Sequence, residues 1–247
     1  MRNKFSNNYP IINLYNKKSA VSKIVTQMLY GENFTVLRKF RNWYKIKLHT
    51  DNYVGFINRK KFTSNQKNTH KVYNLKANLY SKPNTKNKVR KQLSFGSKIK
   101  VMGEKNYFYK FDNLWIKKKD LKEINYKTKD VFKNTKKFIN IKYKWGGKHF
   151  SGVDCSGLVQ LFLNFNNKFC PRDTKDQIKY LKKKIQRKNV KKNDLFFWKG
   201  HVAIAISRKN LIHAYGPFKK VISMNIDTTI KRIKDTANLK LISIKRI

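Results

Sequence analysis

The chain has 247 residues, 40% hydrophobic and 14% aromatic, with 59 Lys+Arg against 13 Asp+Glu and a formal charge of +46 at pH 7. That much apolar material builds a core and excludes wholesale disorder, while two cysteines exclude a disulfide-rich scaffold and an all-cysteine metal site. Lysine is spread along the whole chain beside abundant Asn and Ile. The charge therefore reads as a general drift in residue usage rather than a dedicated polyanion site, and no specific nucleic-acid partner is expected.

The N-terminus begins with a basic residue but lacks the apolar run of roughly 7–15 residues that a signal peptide needs. Nowhere do about 18 consecutive residues stay apolar. The expectation is a soluble cytoplasmic chain with no membrane partner, its oligomeric state unknown from sequence.

Short β-rich runs come first, at 23–29, 34–37, 43–48 and 53–57, punctuated by Gly31-Glu32 and by a turn at Asp51-Asn52. Their spacing fits a small barrel. A second, weaker copy follows at 76–80, 96–102, 107–111 and 114–116. Glycine before a β run, then aromatics, then a Trp/Phe-Ile ending recur in the same order, as in a repeated unit. The polar stretch 63–70 between the copies has no apolar periodicity and reads as a linker. From about Lys127 the pattern turns helical, and strands return only near Leu195, marking an α+β domain. Leu158, Leu161, Phe162 and Phe165 form one face of a helix opening near Cys155. Ile178, Leu181 and Ile185 mark a second helix after Asp173-Thr174. Residues 195–198, 202–206 and 211–215 read as strands. Three domains result, at 1–66, 67–124 and 125–247.

Cys155 stands where a Gly-rich loop meets the start of the apolar helix. A thiol at a helix N-terminus sees unpaired N–H groups and the positive end of the dipole, both of which favour thiolate. A cysteine nucleophile also needs a base and a group that orients the base, and His201 and His213 supply them from two strands joined by a short connection. If 201 lies opposite 213 both imidazoles share a face, whereas a one-residue slip separates them. A metal site is the other reading of two histidines, but no third ligand at a zinc-like spacing accompanies them, so neither metal nor cofactor is expected. Cys170, before Pro171, reads as a buried structural cysteine, and His49, His70 and His149 as structural or surface residues.

Tyr143-Lys144-Trp145-Gly146-Gly147, the run from Ser151 to Gln160 that contains Asp154-Cys155-Ser156-Gly157, and Pro171-Arg172-Asp173-Thr174 with Gln177 resemble the NlpC/P60 cysteine peptidases. Asn193-Asp194-Leu195, the run from His201 to Ile206, and His213-Ala214 continue the match in order over the last third domain. The upstream repeats resemble bacterial SH3 domains, a combination similar to γ-D-glutamyl-L-diamino acid endopeptidases that process murein peptides. The resemblance implies a papain-like catalytic domain preceded by two small SH3-like β-barrels, with Cys155 as nucleophile, His201 as general base and acid, and His213 orienting His201. It also implies that Tyr143 helps stabilise the oxyanion and that Asp154 and Ser156 flank the substrate groove. From the first SH3 domain, Glu32 and Tyr53 become candidates to recognise the free N-terminal L-Ala amine of the murein peptide. Three positions depart from the family pattern: Asn52 and Asn193 stand where glycine is usual, and Ala203 follows His201-Val202 in place of a common glycine. Asn tolerates positive φ and can preserve both turns. The rival readings are an exported endopeptidase acting on intact peptidoglycan and a non-catalytic module that binds wall polymer or polyanion.

Overall fold

Period-two burial runs through Ile11–Tyr15 and Val54–Asn58, where alternate side chains enter a core, as half-buried strands require. The computed structural model describes residues 4–247, and the chain divides into two units, Met1–Tyr126 and Lys127–Ile247. In the first unit a seven-stranded antiparallel sheet runs in the order Ile24–Leu29, Ile11–Tyr15, Val54–Asn58, Trp43–Leu48, Asn33–Lys39, Lys4–Ser6, Thr63–Ser64. Leu14, Met28, Phe34, Ile46, Leu48 and Ile57 fill its core. A five-stranded sheet (Lys88–Ser94, Lys76–Tyr80, Leu114–Lys117, Phe108–Phe111, Gly103–Lys105) and a three-stranded one (Lys98–Ile99, His70–Val72, Leu121–Glu123) share a separate core around Val72, Leu79, Phe111 and Ile116.

The stretch 63–70 is not the free linker that its composition led us to expect. Thr63–Ser64 pairs with Phe5 and Ser6, the Gln66 N–H donates to Ser6 Oγ at 2.9 Å, and a strand begins at His70. Polar sequence makes ordered strand wherever its backbone groups find partners. The two halves of this unit are stitched at Tyr30-Gly31: Lys98 N–H donates to Tyr30 O at 2.8 Å, Asn68 Nδ2 to Gly31 O at 2.9 Å, and the Tyr30 hydroxyl to Asp112. Gly31 sits at φ +75°, and a Cβ there would lie 1.9 Å from Lys98 O, so only glycine fits. Asn52 and Asn193 do occupy the left-handed region, at φ 61° and 76°.

In the second unit, residues 127–154 hold a 3-10 turn and short bridges rather than the helical stretch expected, and α-helix starts only at α1, Cys155–Phe165. Leu158, Val159, Leu161, Phe162, Leu163 and Phe165 are all buried, so α1 is covered on every side rather than along one stripe. Each such side chain contributes roughly 1.5–3 kcal/mol by leaving water. The helix packs against His201–Ala205 and Asn210–Tyr215, two strands of an antiparallel sheet ordered Lys220–Asn225, Asn210–Tyr215, His201–Ala205, Leu195–Trp198, Ser243–Lys245. Helix α2 spans only Thr174–Tyr180. Leu181 is already extended, and Ile185 donates its N–H to Ile244 O at 2.9 Å, so the apolar spacing that marked a longer helix belongs to a segment laid along the terminal strand. A third helix, α3 (Ile226–Ala237), is capped by Asn225, whose Oδ1 accepts from the N–H groups of Asp227 and Thr228.

Candidate active site

Cys155 is the first residue of α1 and is 6% exposed. Its Sγ lies 4.0 Å from Gly200 O, and the N–H groups of Val202 and Ser156 and the Thr174 hydroxyl act on it as donors that favour its charged form. The backbone on both sides of His201 therefore brackets the sulfur. His201 Nε2 stands 2.7 Å from His213 Nδ1. This bond leaves Nδ1 of His201 as the nitrogen available to a thiol.

The two imidazoles do not face each other across the ladder. Ile204 pairs with Ile212 and Ala205 with Leu211, a register that extends to 201 opposite 215 and sets His213 one diagonal step away. Two residues of offset keep both rings on the same face, since side chains alternate with period two. Tyr215, at the position opposite His201, closes the cluster with ring centroids 5.7 Å from His201 and 5.0 Å from His213.

Charge in the resting site favours neutral partners. Burial, then the Asp154 carboxylate, push the Cys155 thiol up to about 11, against the N–H and hydroxyl donors that favour thiolate. The thiolate expected from the helix N-terminus is thus outweighed before substrate binds. Burial lowers His201 to about 4 and His213 well below the ordinary range, the latter with help from the neighbouring His201. Tyr143 is half-buried, its phenol raised above its usual range by burial, Cys155 and Asp154.

Asp154 caps α1, with Oδ1 accepting from Gly157 N–H at 2.7 Å and Oδ2 from Gly146 N–H at 2.8 Å. Arg172 clamps the same carboxylate in two bonds, 3.0 Å to Oδ1 and 2.6 Å to Oδ2, and reaches Ser156 Oγ at 2.8 Å. Both side chains are buried, at 1% and 9% exposure. Asp154 and Ser156 direct their polar atoms inward in this structure, onto the cap and its clamp. A Cβ on Gly157 would lie 2.3 Å from Gly147 O, so the first turn of α1 sits directly on the Gly-rich loop.

Residues 140–236 match the family model described as NlpC/P60 family, and residues 14–62 match the bacterial dipeptidyl-peptidase SH3 domain. The chain carries an NlpC/P60 domain. It is 27% identical over 227 residues to a gamma-D-glutamyl-L-lysine dipeptidyl-peptidase of Bacillus cereus, covering 78% of this chain and 68% of that one. It is 33% identical over 85 residues to dipeptidyl-peptidase 6 of Lysinibacillus sphaericus, covering 34% and 31% of the two chains. Among solved structures, an NlpC/P60 family protein from Bacillus cereus superposes with a TM-score of 0.84 at 21% identity, covering 98% of this chain and 99% of that one. This overlap shows that the two share an α+β fold with SH3-like sheets ahead of the NlpC/P60 domain.

Within the NlpC/P60 domain, the residue that sequence reasoning left without a role is Arg172. Its signal was an arginine where lysine prevails in this chain, next to Pro171; planar bidentate pairing with a carboxylate is what arginine does and lysine does not. Gln177 was likewise quoted without a task. Its Nε2 donates to Ser156 O and to Pro171 O, both at 3.0 Å, and so ties α2 to α1. Cys170 is buried beside it. Glu32 and Tyr53 belong to the first unit. Glu32 is 5% exposed, with Oε2 accepting from Leu29 N–H at 2.7 Å and Oε1 from Thr50 Oγ1 at 3.3 Å, while Tyr53 packs half-buried against the first core. Among the described residues, no helix is long and apolar enough to cross a membrane.

Proposed function

We propose that the chain is a cysteine endopeptidase that hydrolyses the γ-D-glutamyl–diamino acid bond of murein peptides in cell-wall recycling, acting in the cytoplasm. The observation that carries this reading is the 2.7 Å His201–His213 bond beside a thiol bracketed by Gly200 and Val202, within an NlpC/P60 domain. In the mechanism, His201 Nδ1 takes the Cys155 proton as Sγ attacks the γ-carbonyl, and Nε2–H donates to His213 Nδ1, which steadies the imidazolium that forms. The same proton passes to the leaving amine as the C–N bond breaks. Water, deprotonated by His201, then hydrolyses the thioester and releases the thiol. Tyr143 is assigned to the oxyanion, and Asp154 and Ser156 to the flank of the substrate groove, where they hold the cap of α1. Because both partners start neutral, the proton moves during attack rather than before it.

The proposed organisation is an SH3-like domain over 1–66, a second over 67–124 and the peptidase over 125–247, with Glu32 and Tyr53 recognising a free N-terminal L-Ala amine. The basic surface would draw in the peptide's carboxylates, an effect that salt weakens. A second reading, an exported enzyme acting on intact peptidoglycan, is favoured by one observation: the Glu32 carboxylate is buried and already accepts two internal hydrogen bonds. The deciding experiment incubates the protein and its Cys155→Ala variant with L-Ala-γ-D-Glu-diaminopimelate and with its N-acetylated form, and reads products by mass spectrometry. Cleavage of the free-amine peptide alone, lost in the variant, supports recycling. Cleavage of both supports wall hydrolysis, and cleavage of neither refutes the peptidase reading.

A further inference from the structure

On the second unit, a cavity of about 610 Å³ is lined by ten residues, of which Lys183, Lys184, Lys188, Lys191, Arg208 and Arg246 are cationic and none is acidic. Even spreading of 59 Lys+Arg over 247 residues does not account for six in ten. Two other concavities of the same chain are lined by no cation and by one, Lys60. Concentration of one charge sign in a concave surface focuses the field on an anion.

The walls are built rather than incidental. The stretch 183–185 is held to the terminal strand by Arg246 N–H on Lys183 O and Ile185 N–H on Ile244 O, both 2.9 Å, and by the Lys184–Lys245 bridge. Arg246 is fixed by Asp194, through Nε at 2.7 Å and Nη2 at 2.8 Å, and by Asn189 O at 3.0 Å. Asp194 is fully buried and is itself anchored by Lys191 N–H at 2.8 Å. No aromatic residue lines the cavity, whereas sites for single-stranded nucleic acid stack bases on aromatic rings.

We propose that this cavity binds a phosphate chain without bases, either a linear polyphosphate or a polyol-phosphate polymer. It lies apart from the Cys155 chemistry in the residues it uses, and Lys184, Lys188 and Lys191 are its exposed phosphate contacts.

The test measures binding of fluorescently end-labelled linear polyphosphate, poly(glycerol phosphate) and a single-stranded DNA of matched charge by anisotropy, at several salt concentrations. The variant Lys184→Gln/Lys188→Gln/Lys191→Gln is compared with a control that loses equal charge on the first unit, Lys88→Gln/Arg90→Gln/Lys91→Gln. Taking the single-strand value of about 0.7 counterions released per phosphate contact, loss of three contacts lowers the slope of log affinity against log salt by about 2. The proposal expects that drop for at least one phosphate polymer in the cavity variant and an unchanged slope in the control; which polymer binds identifies the source. Equal losses in both variants, or DNA bound as tightly as the phosphate polymers with the same dependence on the cavity lysines, would overturn it.

Discussion

Replacing Arg172 by methionine tests whether the cap of α1 depends on a buried ion pair. The guanidinium is 1% exposed and its partner carboxylate 9%, so water screens neither. The substitution keeps an apolar stem but removes three donors, two from Asp154 and one from Ser156. Breaking a buried pair by deleting one partner costs about 3–5 kcal/mol, because the other charge stays behind. Asp154 retains the N–H groups of Gly146 and Gly157, which places the expected loss near the lower end, about 3 kcal/mol. That is a large share of the roughly 5–15 kcal/mol that holds a typical domain folded. The assay is urea unfolding together with hydrogen exchange of the α1 amides, which assigns the loss to this unit. Adding Asp154→Asn removes the stranded charge while leaving an oxygen for Gly157 N–H, and should recover about half of the deficit. A loss below about 1 kcal/mol in the single variant, or a double variant less stable than the single, would refute the buried-pair reasoning.

With the Cys155 thiol raised to about 11, the thiolate is the minor form at neutral pH and its fraction grows tenfold per pH unit up to that value. Alkylation of the resting enzyme by iodoacetamide should therefore climb throughout the alkaline range, and a plateau already reached below neutrality would contradict it. His213→Ala should lower kcat about 100- to 10,000-fold, the range over which general base catalysis acts; steady-state kinetics showing a change only in KM would count against its orienting role. Gly157→Ala sets a methyl 2.3 Å from Gly147 O and should cost about 1–3 kcal/mol by forcing the loop off the helix, visible as a lower thermal midpoint.

The strands at 43–48 and 195–198, the helix after Asp154 and the histidine pair were legible because each depends on local pattern: period-two alternation in the first strand, a short unbroken apolar run in the second, an Asp before an apolar run, two His flanking a short connection. What escaped depended on partners distant in sequence. Thr63–Ser64 becomes strand because Phe5 and Ser6 lie beside it, and Ile185 leaves the helical pattern because Ile244 takes its N–H. Helix α3 was not among the expected elements, although Ile226, Ile230 and Ile233 sit on one face. The thiol's charge state was misjudged for the same reason: the dipole of α1 is visible in sequence, whereas the burial and the neighbouring carboxylate that outweigh it are properties of the folded site.

The terminal strand Ser243–Lys245 lies beside Leu195–Trp198, itself the neighbour of the strand that carries His201. During synthesis, the apolar edge Leu195-Phe196-Phe197-Trp198 therefore waits unpaired on that side until Ser243–Lys245 has also been made. An open edge of this composition invites pairing with other chains. Truncation before Ser243 should accordingly convert a foldable unit into an aggregating one, even though Cys155, His201 and His213 have already been made.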